Sequence, residues 1–372
     1  MSEKPVLLWD AGPGEIRTGL VEGGKLCEFR IIRPRHPEKA LYQAGENYTA
    51  RIIERSGRTA LVSLGVQQAL LDPAPAGYNA GQLVSVVMTR NSIAEPGRWK
   101  QAKVRLASDP TPQHKEPAWH FSGEPWELFL RKVAPTVSTI LCAEPMAASA
   151  VQCKLGNLAL LVRVDRNAIA EADFDSLIET AVSGQVALPS GVQLSVERTR
   201  AMTVIDVDGY GNAAPLNRAA ASHIAHLLRL LDIGGPIAID FIAMEDRGER
   251  LAVANAFDAA AVSLGHHERT AINGFGLMQI IRPRHTPSVP EILCTTTPGR
   301  LSLESRAIAL LRDAQRSQGI GPRHLIAPPA IIELIRQSPW ETLALSHICG
   351  AEIVLVPDPA AIGYGHVHVA QS

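Results

Sequence analysis

The spacing of apolar and polar positions sorts the chain into distinct stretches. Over 5–33, apolar Pro5–Trp9 leads into two alternating runs split by Gly23-Gly24, which predicts a β-hairpin. Short strand-like runs recur at Tyr48–Glu54, Thr59–Leu64, Leu83–Thr89 and Gln101–Leu106, the pattern of a small barrel such as an OB-fold. Asp109-Pro110, Pro112, Pro117 and Pro125 break that pattern and predict a linker over 108–125. Trp126–Val133 and Asp173–Val182 then read as helices, and Leu158–Val164 as a strand. From Thr203 the periods sharpen. Thr203–Val207 is a strand, and Asn217 is placed to N-cap a helix with the stripe Ile224, Leu227, Leu228 and Leu231, which Gly234-Gly235 ends. A strand over Ile237–Ile242, a helix over Glu249–Leu264 and a strand over Phe275–Ile281 complete a β-α-β-α-β layer. Helices over Leu301–Gln315 and Ala330–Gln337, with strands over Glu352–Pro357 and Gly365–Val369, predict a small α/β module.

Acids interrupt this pattern in two places. A strand's period of two puts Asp206 and Asp208 on one face, and Asp240 breaks the otherwise apolar run from Ile237 to Phe241. Burying an unpaired carboxylate is costly. Carboxylates gathered at strand ends of an α/β sheet, with room for water, suit Mg2+; the competing reading is helix capping or pairing with arginine. Arg282 and Arg284 follow a strand of the same layer, and guanidinium forks match phosphate oxygens, although a surface ion pair would use them equally well. The hexapeptide Ile-Ile-Arg-Pro-Arg-His stands at both 31–36 and 280–285, an echo too short for a repeat architecture.

A length of 372 residues suggests two or three domains, and 46% hydrophobic with 20% charged residues excludes wholesale disorder. No run of 18 apolar residues predicts a membrane span, and no signal-peptide core follows Met1. The five cysteines, Cys27, Cys142, Cys153, Cys294 and Cys349, are widely spaced without a CxxC, as expected of reduced thiols in a cytoplasmic protein. The formal net charge of -1 hides an asymmetry: residues 30–105 carry twelve basic and five acidic side chains, so the rest of the chain is strongly acidic. That split points to a polyanion partner on one module.

Three ordered stretches resemble the ribonuclease E/G family: Thr199–Asp208 its catalytic strand, Leu228–Ile242 its helix–Gly-Gly–IDFI segment, and Phe275-Gly276-Leu277 with Arg282 and Arg284 its third signature. The resemblance implies an α/β multidomain chain. An RNase H-like domain (1–34 plus 120–185) would hold an inserted OB-fold RNA-binding β-barrel (35–107). After the 108–125 linker would come a DNase I-like catalytic domain (186–290), a vestigial zinc-link segment (291–299) and a small C-terminal domain (300–372). It also implies Mg2+-dependent endonucleolytic cleavage of single-stranded RNA. Asp206 and Asp240 would hold the metal with Asp208 assisting, and Arg282 and Arg284 would contact phosphates. Arg51, Arg98 and Lys100 would hold RNA on the barrel, and Leu61 and Leu70 stand where the family has base-stacking aromatics.

Departures qualify that picture. Asp208 stands for a family Asn, and Arg200, Ala219, Ala243 and Gln279 stand where the family carries acids. No 5′-phosphate-sensing segment is found between 108 and 160, so RNAs with 5′-monophosphate and 5′-triphosphate ends are expected to be cut alike. Cys294 alone remains of the paired zinc-link cysteines, so neither structural zinc nor a zinc-linked dimer or tetramer is expected. The lost acids make a non-catalytic RNA-binding protein on the same fold the alternative, ahead of a phosphodiesterase acting on another substrate. Minor metal candidates are His366 with His368 and His223 with His226; Asp10, ending the first strand, is an RNase H-type acid without evident partners.

Overall fold

A computed structural model describes residues 4–33, 44–120, 123–337, 345–346 and 348–370. The chain forms two compact units, one of Met1–Pro34, Leu130–Val182 and Gly299–Ser372, the other of Arg35–Phe129 and Ser183–Pro298. No helix of the described residues is long and apolar enough to cross a membrane.

In the first unit, the expected hairpin is a meander of strands Val6–Gly12, Glu15–Glu22 and Lys25–Ile32. Thr139–Cys142 and Val162–Val164 extend it as parallel strands. Leu158–Val164 is thus only partly a strand: Gly156–Leu161 is a 3-10 turn. Leu7, Leu8, Trp9, Phe29 and Ile140 form the buried face, and the Phe29 and Phe174 rings lie 5.0 Å apart. Helices Leu303–Arg316 and Pro329–Arg336 pack with a three-stranded sheet in the order Ile353–Pro357, Arg323–Ala327, His366–Val369.

Several charges inside this unit are paired. Glu15 receives Arg17 at 2.8 Å and Arg33 at 3.3 Å; Arg33 also reaches Glu304 at 3.2 Å. Asp175 receives Arg17 at 2.7 Å and Arg316 at 2.6 Å, and Asp10 is bound by Arg312. Asp10 therefore serves an ion pair.

The second unit contains a closed five-stranded barrel. Its order is Asn47–Ser56, Thr59–Ser63, Gln68–Leu71, Ala102–Leu106, Leu83–Arg90 and back to Asn47–Ser56, with Gln68–Leu71 and Ala102–Leu106 parallel, consistent with an OB-fold. Alternation drives it: Ala60, Val62, Ala69 and Leu71 point into the core, while Leu61 and Leu70, paired across their strands, face outward. Ala118–Trp119, within the expected linker, pairs with Asn47–Ser56, and Trp119 stacks on Tyr48.

The rest of the unit is a six-stranded sheet in the order Gln185–Ala187, Gln193–Arg198, Thr203–Asp208, Gly235–Asp240, Leu277–Arg282, Glu268–Arg269. Helices Ala213–Leu230 and Arg247–Ala260 pack against each other and bury Ile224, Leu228, Val253 and Phe257. Each such side chain contributes roughly 1.5–3 kcal/mol. The first helix is capped by Asn212, whose side chain accepts the Ala214 N–H, and not by Asn217. Asn217 lies one turn inside and is fully buried. Gly235, with φ +91°, re-aims the chain from the helix end into its strand.

Candidate active site

Asp206 and Asp240 are Cα partners across the parallel pair of Thr203–Asp208 and Gly235–Asp240. Adjacent strands lie about 4.8 Å apart, so their carboxylates leave the backbone side by side. Ile205, Val207, Ile237 and Ile239 bury the helix-covered side, which turns Asp206, Asp208 and Asp240 to the opposite face. That face is open: Leu277, Gln279 and Ile281 of the neighbouring antiparallel strand share it and are also exposed. No cation of the described residues pairs with the three carboxylates. Burial, then the nearby Asp208 and Asp240 carboxylates, push the Asp206 carboxyl above the usual aspartate range.

Two features fix Asp240 in place. Asn217 donates to the Ile242 carbonyl at 2.7 Å and accepts its N–H at 3.2 Å, holding the backbone just past the acid. Gly276, at φ +89°, donates no side chain to a crowded spot: a Cβ there would lie 2.6 Å from the Phe241 carbonyl oxygen and 3.8 Å from Asp240. Beside the acids, Tyr210 and Phe275 are 101% and 85% exposed. Periodicity does not single out these rings; the signal available was an aromatic flanked by glycines, Tyr210 just after the Asp206–Asp208 run and Phe275 just before the strand that pairs with Asp240.

The basic candidates are largely engaged. Arg282 donates to Asp232 at 2.9 Å and to the Ile233 carbonyl at 3.0 Å, and Arg284 is bound to Glu291. Both are mostly buried and already hold carboxylates, Arg282 that of Asp232 and Arg284 that of Glu291. The hexapeptide echo gains a common feature: Arg33, just past one strand, and Arg282, the last residue of another, each sit in a buried ion pair, though 34–36 of the first copy lie outside the described residues. Arg98 and Lys100 hold buried Glu95 at 2.7 and 3.3 Å, and Arg51 holds Glu116 at 2.6 Å. Leu61 and Leu70 form a small outward patch on the barrel.

Among the described residues no three or more His, Cys, Asp or Glu side chains form a ready metal cage. The aspartates do fit a hard cation. They offer only oxygen, repel one another, and leave further ligand positions to water, the habit of Mg2+. His366 and His368 lie on one strand, where His368 faces His324 at 6.2 Å between ring centroids. His223 and His226 lie 6.1 Å apart. Cys294 is buried.

Residues 139–285 match the ribonuclease E/G family, a stretch that includes the aspartates, Arg282 and Arg284 but not the barrel. A protein named Ribonuclease G from Salmonella typhimurium is 31% identical over 193 residues, 46% of this chain and 39% of that protein. Ribonuclease E of Escherichia coli is 34% identical over 159 residues, 37% of this chain and 14% of that protein. Ribonuclease G of Haemophilus influenzae is 35% identical over 137 residues, 33% of this chain and 27% of that protein. The chain thus spans well under half the length of these relatives. The shared segment, residues 139–285, is thus a ribonuclease E/G family segment.

Proposed function

We propose that this chain is an endoribonuclease acting on single-stranded RNA in RNA processing or decay. The observation that carries the reading is the register pair of Asp206 and Asp240 on an open sheet face within the family segment. Asp206 and Asp240 would hold Mg2+, which when bound would supply Lewis acidity to a phosphodiester and lower the pKa of an attacking water. Asp208 adds a third negative oxygen donor group on the same face. Tyr210 and Phe275 offer ring faces to bases on either side of the carboxylates, and stacking tolerates any sequence. Leu61 and Leu70 would give the barrel a weaker apolar contact for bases, with Arg51 beside it.

The test is cleavage of a panel of unstructured RNAs with Mg2+ or with chelator. Mg2+-dependent internal cuts that vanish in the Asp206→Asn, Asp240→Asn double variant are expected. Equal cutting by that variant would refute the assignment. One observation favours a second reading. Gln279, in place of an acid, shares the open face with the aspartates, so the site has less charge to hold a metal. Salt-dependent RNA binding without cleavage under any divalent cation would establish the non-catalytic alternative.

A further inference from the structure

A second constellation lies in the same unit at the other end of the strands. Among the described residues, Arg90, Arg98, Lys100, Arg198, Arg200 and Arg284 gather around two acids, Glu95 and Glu291. Both acids are fully used. Glu95 takes Arg98 at 2.7 Å and Lys100 at 3.3 Å, with Arg284 at 3.8 Å. Glu291 takes Arg284 and the Ser288 N–H, with Arg198 at 3.8 Å. Positive charge is left in excess, and so are donors: among the described residues, Arg198 Nη1, Arg284 Nε and Arg90 Nε are buried without a hydrogen-bond acceptor. A buried donor left unmatched carries its full desolvation penalty, more so when charged.

Arg198, Arg200 and Arg284, together with Thr199, Glu95 and Glu291, line one cleft. Arg200 is exposed and donates its Nε to the Pro96 carbonyl at 3.1 Å. The cleft reaches Thr203 and Pro236, where the two parallel strands begin. At about 3.3 Å per residue it lies about 10 Å along the strand from Asp206, so it is separate from the carboxylate face. Water could satisfy the orphan donors, but it would leave the excess charge. A tetrahedral oxyanion answers both needs, because several guanidinium groups can share its oxygens.

We propose that this cleft binds a phosphate group, with Arg198, Arg200 and Arg284 donating to its oxygens. The group is either a backbone phosphodiester of a bound RNA strand or free phosphate. Only the choice between these sources leans on the nuclease reading; the anion site does not. The test is calorimetric titration of the whole chain with sodium phosphate against chloride of matched ionic strength. Saturable binding is expected, weakened about tenfold or more in Arg200→Gln and in Arg198→Gln, with circular dichroism confirming that both remain folded. Asp206→Asn should bind phosphate as the native chain does. In that background, an RNA tetramer with hydroxyl groups at both ends supplies internal diesters only. Its displacement of phosphate identifies the backbone as the source; phosphate binding without displacement identifies free phosphate. No saturable phosphate binding by the native chain, or unchanged affinity in both arginine variants, overturns the proposal. Phosphate binding by a chain that cuts no RNA would sink the nuclease reading and leave the anion site standing.

Discussion

Glu15, in the first unit, is 2% exposed and lies between Arg17 and Arg33, whereas Asp206, in the second, is exposed beside Asp208 and Asp240 with no cation of the described residues paired to it. Both are strand-borne acids, but their surroundings act in opposite directions. Burial alone would raise the Glu15 carboxyl, yet Arg33 and Arg17 outweigh it and hold it below the usual glutamate range. Asp206 has burial and like charges acting together, and its carboxyl is raised. The lesson is that acidity by itself marks no site. A carboxylate satisfied by its own fold is structural, while carboxylates that repel one another on an open face require something the fold does not supply.

The contrast can be broken at its strongest point first. Glu15→Ala removes the shared partner of two buried guanidinium groups and should cost about 3–5 kcal/mol, read as a lower urea midpoint. The native protein should approach the same loss in acid. The contribution of Glu15 is complete above the ordinary glutamate pKa and disappears as pH falls through its lowered native value. Glu15→Gln should flatten that part of the stability–pH profile. Asp240→Asn should leave the unfolding midpoint nearly unchanged while reducing Mg2+-dependent RNA cleavage by about 100-fold or more; undiminished cutting would place the chemistry elsewhere. Asn217→Ala strands the Ile242 backbone groups and should cost about 1–3 kcal/mol. Its fall in cleavage should exceed any fall in RNA binding if the clamp serves Asp240. The smallest effect has the opposite sign. Without divalent ions, Asp206→Asn should be more stable than the native chain by about 0.2–1 kcal/mol, and added Mg2+ should stabilise only the native chain.

The local parts of this architecture were legible in the sequence. The Ile224, Leu227 and Leu228 stripe marks a buried helix face, and the alternation of Ile205 and Val207 with Asp206 and Asp208 places both acids on one side. Pairing across sequence distance was not legible. Nothing near Arg282 in the chain reveals that Asp232, fifty positions earlier, receives it, so a buried ion pair looked like a phosphate contact. Asn217 was misread for a related reason. Asparagine is a good cap, and Asn212 lay close enough to compete; which one caps depends on where the buried face begins. Gln68–Leu71 escaped notice because four residues carry little periodicity, yet the barrel cannot close without that strand.

The carboxylate-bearing sheet ends in very short strands on both sides, Gln185–Ala187 and Glu268–Arg269. Leu277 and Ile281 leave apolar surface on its uncovered face, which in a sheet with long free borders would invite stacking into fibrils. Borders of three and two residues give an incoming strand almost no backbone to zip onto. The protein can therefore keep this surface bare while giving copies of itself little edge to pair with.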